Sequence, residues 1–222
     1  MAGKLKSKPG AAPAETRQLL LEAAGAVFAE HGYYDTTVRQ ICQRAGVNVA
    51  AINYHFGDKQ RLYTEVLRDC QAKALAKYPP DLGLAPGARP VERLRAFVRS
   101  FLFRIFDAGP TAYHGKLLTM EMINPTPALD AIVNERFRPM AEQLSAILRE
   151  LLGKGASAEL VRLCVGSVVS QCVFYHHCRP AMCRLYPDLK FGPAEIERLA
   201  DHITRFSLAG LNDVAKRYKG RR

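Results

Sequence analysis

The densest set of reactive side chains in the sequence is the run QCVFYHHCRPAMC, which brings Cys172, His176, His177, Cys178 and Cys183 into one short segment. Cys172 and His176 stand four residues apart, so on a helix they share a face, as two ligands of one metal must. A thiol beside an imidazole is also the raw material of a nucleophilic catalyst. Neither chemistry is completed. Zinc sites built from a single segment carry CxxC or HxxxH pairs, which are missing here, and no motif supplies the orienting third group or oxyanion donors that a Cys–His catalyst needs. The expectation is no enzyme, no cofactor and no metal site. Cys42, Cys70, Cys164, Cys172, Cys178 and Cys183 are then free thiols in a reducing compartment. Metal or oxidant sensing by the Cys172–Cys183 segment stays as the alternative to the reading developed next.

A second constellation carries a different chemistry. Residues 37–56, TVRQICQRAGVNVAAINYHF, hold two short helical patterns joined by Ala45-Gly46-Val47, the length and punctuation of a helix-turn-helix. Val38, Ile41 and Ala45 line the inner face of the first helix, Val47 and Ile52 plug the junction, and Phe56 closes the far end. Gly46 supplies the small residue needed where the two helices cross. The opposite face is left for double-stranded DNA. There Asn48 and Asn53 carry amides that can hydrogen-bond base edges, and Val49, Ala50 and Ala51 are small apolar groups that can pack on thymine methyls. Arg39 and Arg44 add positive charge beside them. For Thr37, Asn48 and Asp58, capping of a helix competes with any DNA contact.

These residues need a scaffold, and the pattern around them is helical throughout. Leu20, Ala24, Val27 and Phe28 recur at three- and four-residue steps over Thr16–His31, and Gly32 ends that helix. Thr36 or Thr37 can cap a helix to Ala45, Asn48 one to about Tyr54, and Asp58 one to about Tyr78. Further helices are expected over about 91–107, 113–122, 127–152, 157–178 and 193–218, with Pro139 kinking or splitting the third of these and a break at Arg179-Pro180. The fold class is therefore all-α. The expected division is a disordered basic arm over 1–14, a DNA-binding domain of three short helices plus a connecting helix over 15–78, a Pro/Gly-rich linker over 79–90, and a larger helical bundle over 91–222.

Composition agrees with a soluble globular chain: 222 residues, 48% hydrophobic and 24% charged, enough to bury a core. Lys and Arg outnumber Asp and Glu by 32 to 21, a net charge of +11 that attracts a polyanion. No run of 18 or more uncharged apolar residues is evident, and the lysines of MAGKLKSKPGAAPAE are not followed by an apolar stretch. A cytoplasmic protein with no membrane partner is expected. The tail from Lys216, KRYKGRR, adds solubility or nonspecific phosphate affinity.

Residues 15–68 closely resemble the N-terminal domain of the TetR family of bacterial regulators. The likeness rests on Phe28-Ala29-Glu30-His31-Gly32-Tyr33, Thr37-Val38-Arg39-Gln40-Ile41, Ala45-Gly46-Val47 and Tyr54-His55-Phe56-Gly57-Asp58-Lys59, in that order. Residues 114–139, HGKLLTMEMINPTPALDAIVNERFRP, are similar to the CecR-like branch of that family. The resemblance implies a homodimer with one DNA-binding domain per subunit, a C-terminal domain that binds a small-molecule effector, and most often repression of a palindromic operator relieved by that effector. It also implies phosphate contacts from Thr37, Tyr54, His55 and Lys59. The chain departs from many members in carrying Val49 and Ala50-Ala51 where they carry Lys or Thr.

In the C-terminal half, Phe103, Phe106, Met120, Met122, Phe174 and Tyr175 are candidates to line an effector pocket, with His114, Glu121 and His176 as its polar anchors. The apolar arc of 157–178 is wider than one core face needs, so Leu160, Val161, Val165, Val168, Val169 and Val173 are assigned to a dimer interface. Ile196, Leu199, Ile203 and Phe206 are assigned to it from the last helix. The resemblance likewise implies a dimer built from the last two long helices.

Overall fold

The computed structural model describes residues 13–107, 113–153 and 155–219, and those residues form eleven α-helices and one π-helical turn, with no strand among them. The helices are α1 (Pro13–His31), α2 (Val38–Ala45), α3 (Ala50–Phe56), α4 (Lys59–Lys77), α5 (Pro90–Ile105), α6 (His114–Ile123), α7 (Ala128–Ile132), α8 (Arg138–Leu152), α9 (Ala158–His177), α10 (Arg179–Leu185) and α11 (Pro193–Lys219). The π turn, Val133–Phe137, runs directly into α8, whose first turn holds Pro139. A proline lacks the amide hydrogen that a continuous α-helix would use there, which accounts for the change of winding.

Two compact units arise. Of the described residues, one comprises 13–74 together with Asp107 and 113–135, the other Leu75–Phe106 together with 136–153 and 155–219. Asp107 and residues 113–135, expected in the C-terminal bundle, fall in the first unit. The expected arm over 1–14 lies outside the described residues except for Pro13 and Ala14, which open α1.

In the first unit the chain is stopped and restarted at named residues. Glycines with positive φ end α1, α2 and α3: Gly32 at 80°, Gly46 at 69° and Gly57 at 84°. Each occupies a left-handed conformation that an L-residue with a Cβ adopts at a cost. Thr37 and Gln40 form a capping box on α2, in which Thr37 Oγ1 accepts from the Gln40 amide and Gln40 Oε1 accepts from the Thr37 amide at 2.7 Å. Asn48 Oδ1 accepts from the Ala50 amide at 3.0 Å, and Asp58 Oδ1 from the Arg61 amide at 2.7 Å. The core sits between α1 and the two helices of the turn: Leu20, Phe28, Ile41, Ala45, Ile52 and Phe56 are buried. Val38 and Val47, expected inside, are half-buried.

A buried polar tie joins α4 to α6 within this unit. Glu121, 0% exposed, accepts from Tyr63 Oη at 2.9 Å, from the Thr126 amide at 2.8 Å and from Thr126 Oγ1 at 3.0 Å. Tyr63 packs edge-on against Phe28 with centroids 4.8 Å apart, and burial, with Glu121 beside it, raises its hydroxyl pKa.

The second unit is built from α5, α8, α9 and α11 around Leu94, Phe97, Leu102, Leu144, Leu148, Val161, Val168, Ile196 and Ile203. Arg99 clasps Glu197 through Nε at 2.7 Å to both carboxylate oxygens, Arg95 pairs with Asp201 at 2.7 Å, and Arg93 pairs with Glu150. The expected break at Arg179-Pro180 is present: α9 ends at His177, and the proline opens α10. Proline fits the first turn of a helix because its missing amide hydrogen would have had no partner there.

Candidate DNA-binding surface

The caps of α2 and α3 and the buried seam beneath them fix what α3 presents outward. Asn48, Val49, Ala50, Asn53 and Tyr54 are exposed, and Ala51 and His55 are half-buried. Tyr54 stands out at 78% exposure, with its ring edge-on to His55 at 4.9 Å. Thr37 and Arg39 are exposed at the start of α2. One continuous face thus holds the amide of Asn53, the small apolar groups of Val49 and Ala50, and a phenol. These are groups that can reach base edges, thymine methyls and a phosphate respectively.

Two of the expected contacts have work inside the unit. Lys59 Nζ donates to the carbonyls of Tyr33 at 2.9 Å and Thr36 at 2.8 Å and sits 4.4 Å from the centroid of the Tyr33 ring, so it pins the α1–α2 turn from α4. One ammonium hydrogen is left to offer elsewhere. Arg44 pairs with Glu30 at 2.7 Å, an interaction that lowers the carboxyl pKa, so its charge is largely spent on α1. Asn48 and Thr37 are caps, as the competing reading had it. A groove of about 390 Å³ beside His55 is lined by Arg17, Phe56, Arg61, Thr64, Glu65 and Arg68. Glu65 binds Arg17 at 2.6 Å and Arg68 at 2.8 Å, whereas Arg61 has only a loose 3.8 Å approach to Asp58. Arg61 is a basic side chain near the surface that the sequence reading did not select.

The other candidate sites fare unevenly. Of the pocket residues, Phe103, Phe106, Phe174, Tyr175 and His176 belong to the second unit, and His114, Met120 and Glu121 to the first. Glu121 is consumed by the tie to Tyr63 and Thr126. Phe106 stacks on Phe191 at 4.9 Å and meets His176 edge-on at 5.4 Å, and Phe174 faces outward. Burial, assisted by His177 and Arg179, lowers the His176 pKa. Among the described residues no three His, Cys, Asp or Glu side chains converge as a metal site would require. Cys172 donates to the Val168 carbonyl, and burial pushes its thiol up to about 12, the opposite of a reactive thiolate.

Four residues assigned to the dimer interface, Val161, Val168, Ile196 and Ile203, are buried in the subunit's own core. Leu160, Val165, Val169, Val173 and Leu199 are half-buried. The outward stripe of α9 is Leu163, Gly166, Ser167, Ser170 and Phe174, and that of α11 is Phe206, Ala209 and Gly210. Gly166 and Gly210 have open space where a Cβ would stand. The wide Val-rich arc of the sequence masked this outward stripe of small residues. By length and composition alone α9 is long and apolar enough to cross a membrane, although Glu159 and Arg162 interrupt it, so it is not an uncharged apolar run.

Residues 20–66 match the model of the family described as bacterial regulatory proteins, tetR family. Residues 90–211, more than half of the chain, match that of the HTH-type transcriptional dual regulator CecR, C-terminal domain. The chain belongs to the TetR family, with a CecR-type C-terminal domain. This TetR-family chain is 28% identical over 160 residues to the HTH-type transcriptional dual regulator CecR of Shigella flexneri, a match covering 64% of the chain and 67% of that protein. It is 42% identical over 64 residues to the HTH-type transcriptional repressor AcnR of Corynebacterium efficiens, covering 29% of the chain and spanning only 34% of that relative. The crystal structure of a transcriptional regulator from Rhodococcus sp. Rha1 superposes with a TM-score of 0.66 at 21% identity, over 88% of this chain and 97% of that one. These relatives are named as transcriptional regulators, not enzymes.

Proposed function

We propose that this TetR-family chain is a cytoplasmic, ligand-responsive repressor that binds a palindromic operator as a homodimer. The observation that carries the reading is the exposed face of α3, held rigid by the capped α2–α3 turn and the buried seam of Ile41, Ala45, Ile52 and Phe56. One such face spans a half-site, and a two-fold pair spans an operator. The outward stripes of α9 and α11 support pairing of two copies, because Gly166, Ala209 and Gly210 let facing helices approach while Leu163 and Phe206 supply apolar area. An effector site belongs to the C-terminal region on this reading. Sensing by the Cys172–Cys183 segment finds less support, since Cys172 is sealed in the core.

Tyr54 and Lys59 test the DNA contacts by responding differently. Tyr54→Ala should lower affinity for all sequences and reduce the slope of log affinity against log salt by about 0.9, with stability unchanged, as expected of one lost phosphate contact at an exposed site. Lys59→Ala should in addition cost about 1–3 kcal/mol of stability, because two carbonyls and a ring face lose their partner. Anisotropy titrations across a salt series, with thermal melts of both variants, check this. An unchanged slope in Tyr54→Ala would remove Tyr54 from the contact surface.

A further inference from the structure

The second unit contains a buried cation that no carboxylate among the described residues neutralises. Arg104, near the C-terminal end of α5, is 3% exposed, and both terminal nitrogens, Nη1 and Nη2, are buried without a hydrogen-bond partner among the described residues. Among the described residues no carboxylate reaches it, and its guanidinium carbon lies 5.7 Å from the centroid of the Phe101 ring. The contrast on the same helix is direct. Arg93, Arg95 and Arg99 each hold a carboxylate. Burial lowers the Arg104 pKa to about 10, which still leaves it protonated at neutral pH.

A buried guanidinium without a counter-ion weakens a fold, and an apolar side chain of similar length would serve the core better. The free atoms are also the informative ones. Nη1 and Nη2 form the end of the planar fork that takes two oxygens of one oxyanion side by side. We infer that Arg104 is the anchor of the effector site and that the effector is an amphiphilic oxyanion, a carboxylate or phosphate carried on an apolar body. The apolar body follows from the surroundings, since the guanidinium lies over the Phe101 ring, on which Phe97 stacks with centroids 6.3 Å apart. This inference rests on the ligand-responsive reading above and gives its ligand a chemical class.

The test uses the full-length protein without DNA and three probes of one chain length: decanoate, decyl phosphate and uncharged decanol. Calorimetry on the wild type should show at least one of the two anions binding with a dissociation constant tenfold or more below that of decanol, and which anion does so separates the two head groups. Arg104→Met should abolish that preference. In the absence of any probe, Arg104→Met should melt at or above the wild-type temperature, because it removes a buried charge that no carboxylate among the described residues balances. Decanol binding as well as both anions, anion binding undiminished in Arg104→Met, or an Arg104→Met protein that melts lower or fails to fold would each overturn the assignment. Operator binding measured on the same preparations keeps the two readings apart. Failure to bind DNA would count against the regulator, and failure to prefer an anion against Arg104.

Discussion

Phe206→Asp should convert the protein to a monomer and lower its affinity for a palindromic operator by about 100-fold or more. Phe206 is 66% exposed in a single copy, so the substitution removes no contact from the subunit core and should leave the melting behaviour of an isolated subunit intact. In the proposed dimer the same side chain lies in the apolar stripe of α11, where an uncompensated carboxylate would be buried against its symmetry mate. Losing the partner also loses the effective concentration that couples two half-sites, an advantage of roughly 10²–10⁴ in linked binding. Light scattering and operator titration check both parts. A Phe206→Asp protein that stays dimeric would place the interface elsewhere. Ile203, selected beside it on sequence, cannot serve as such a probe: it is 0% exposed within its own subunit, so a charge there would unfold the chain and say nothing of pairing.

Glu121→Ala should be the most destabilising single change in the first unit outside its apolar core. It orphans the Tyr63 hydroxyl, the Thr126 amide and the Thr126 hydroxyl at once. At roughly 1–3 kcal/mol for a buried donor left unpaired, with hydroxyls partly able to turn elsewhere, the expected cost is about 3–5 kcal/mol. For a chain of this size that is a fall in Tm of about 6–20 °C. Glu121→Gln should recover part of it, because the amide oxygen still accepts one or two of the bonds. A melting temperature within a degree or two of wild type for Glu121→Ala would show that the tie contributes little.

The contrast between Phe206 and Glu121 also shows what kind of structure a sequence makes readable. The helix-turn-helix was legible because its determinants are local: Thr37 with Gln40, Gly46, Asn48 and Asp58 act within three or four residues of the bonds they make. The role of Glu121 was not legible. Nothing local announces that its carboxylate reaches Tyr63, 58 positions earlier in the chain. The same holds for the segment 107–135, whose helical pattern was read but whose packing with the first unit depends on distant partners such as Tyr63 and, through Arg68, Glu135. For Lys59 the family resemblance implies a phosphate contact, while its two carbonyl partners lie 26 and 23 residues away. On α9, periodicity showed a wide apolar arc but could not say which edge of it faces the subunit core. Nothing local in the sequence sets Arg104 apart from Arg93, Arg95 and Arg99; its burial depends on contacts made by the folded chain.

In the proposed mechanism α3 reads DNA as one half of a two-fold pair. Binding sequences enriched from a random duplex pool by the purified wild-type chain, and separately by Asn53→Ala, measure this directly. The wild type should return an inverted repeat. Asn53→Ala should return the same repeat with preference relaxed at one position in each half, by about 1–3 kcal/mol if the amide reads a base edge. A pool that yields no inverted repeat, or an Asn53→Ala preference identical to wild type at every position, would contradict the assignment of α3 as the helix that reads the operator.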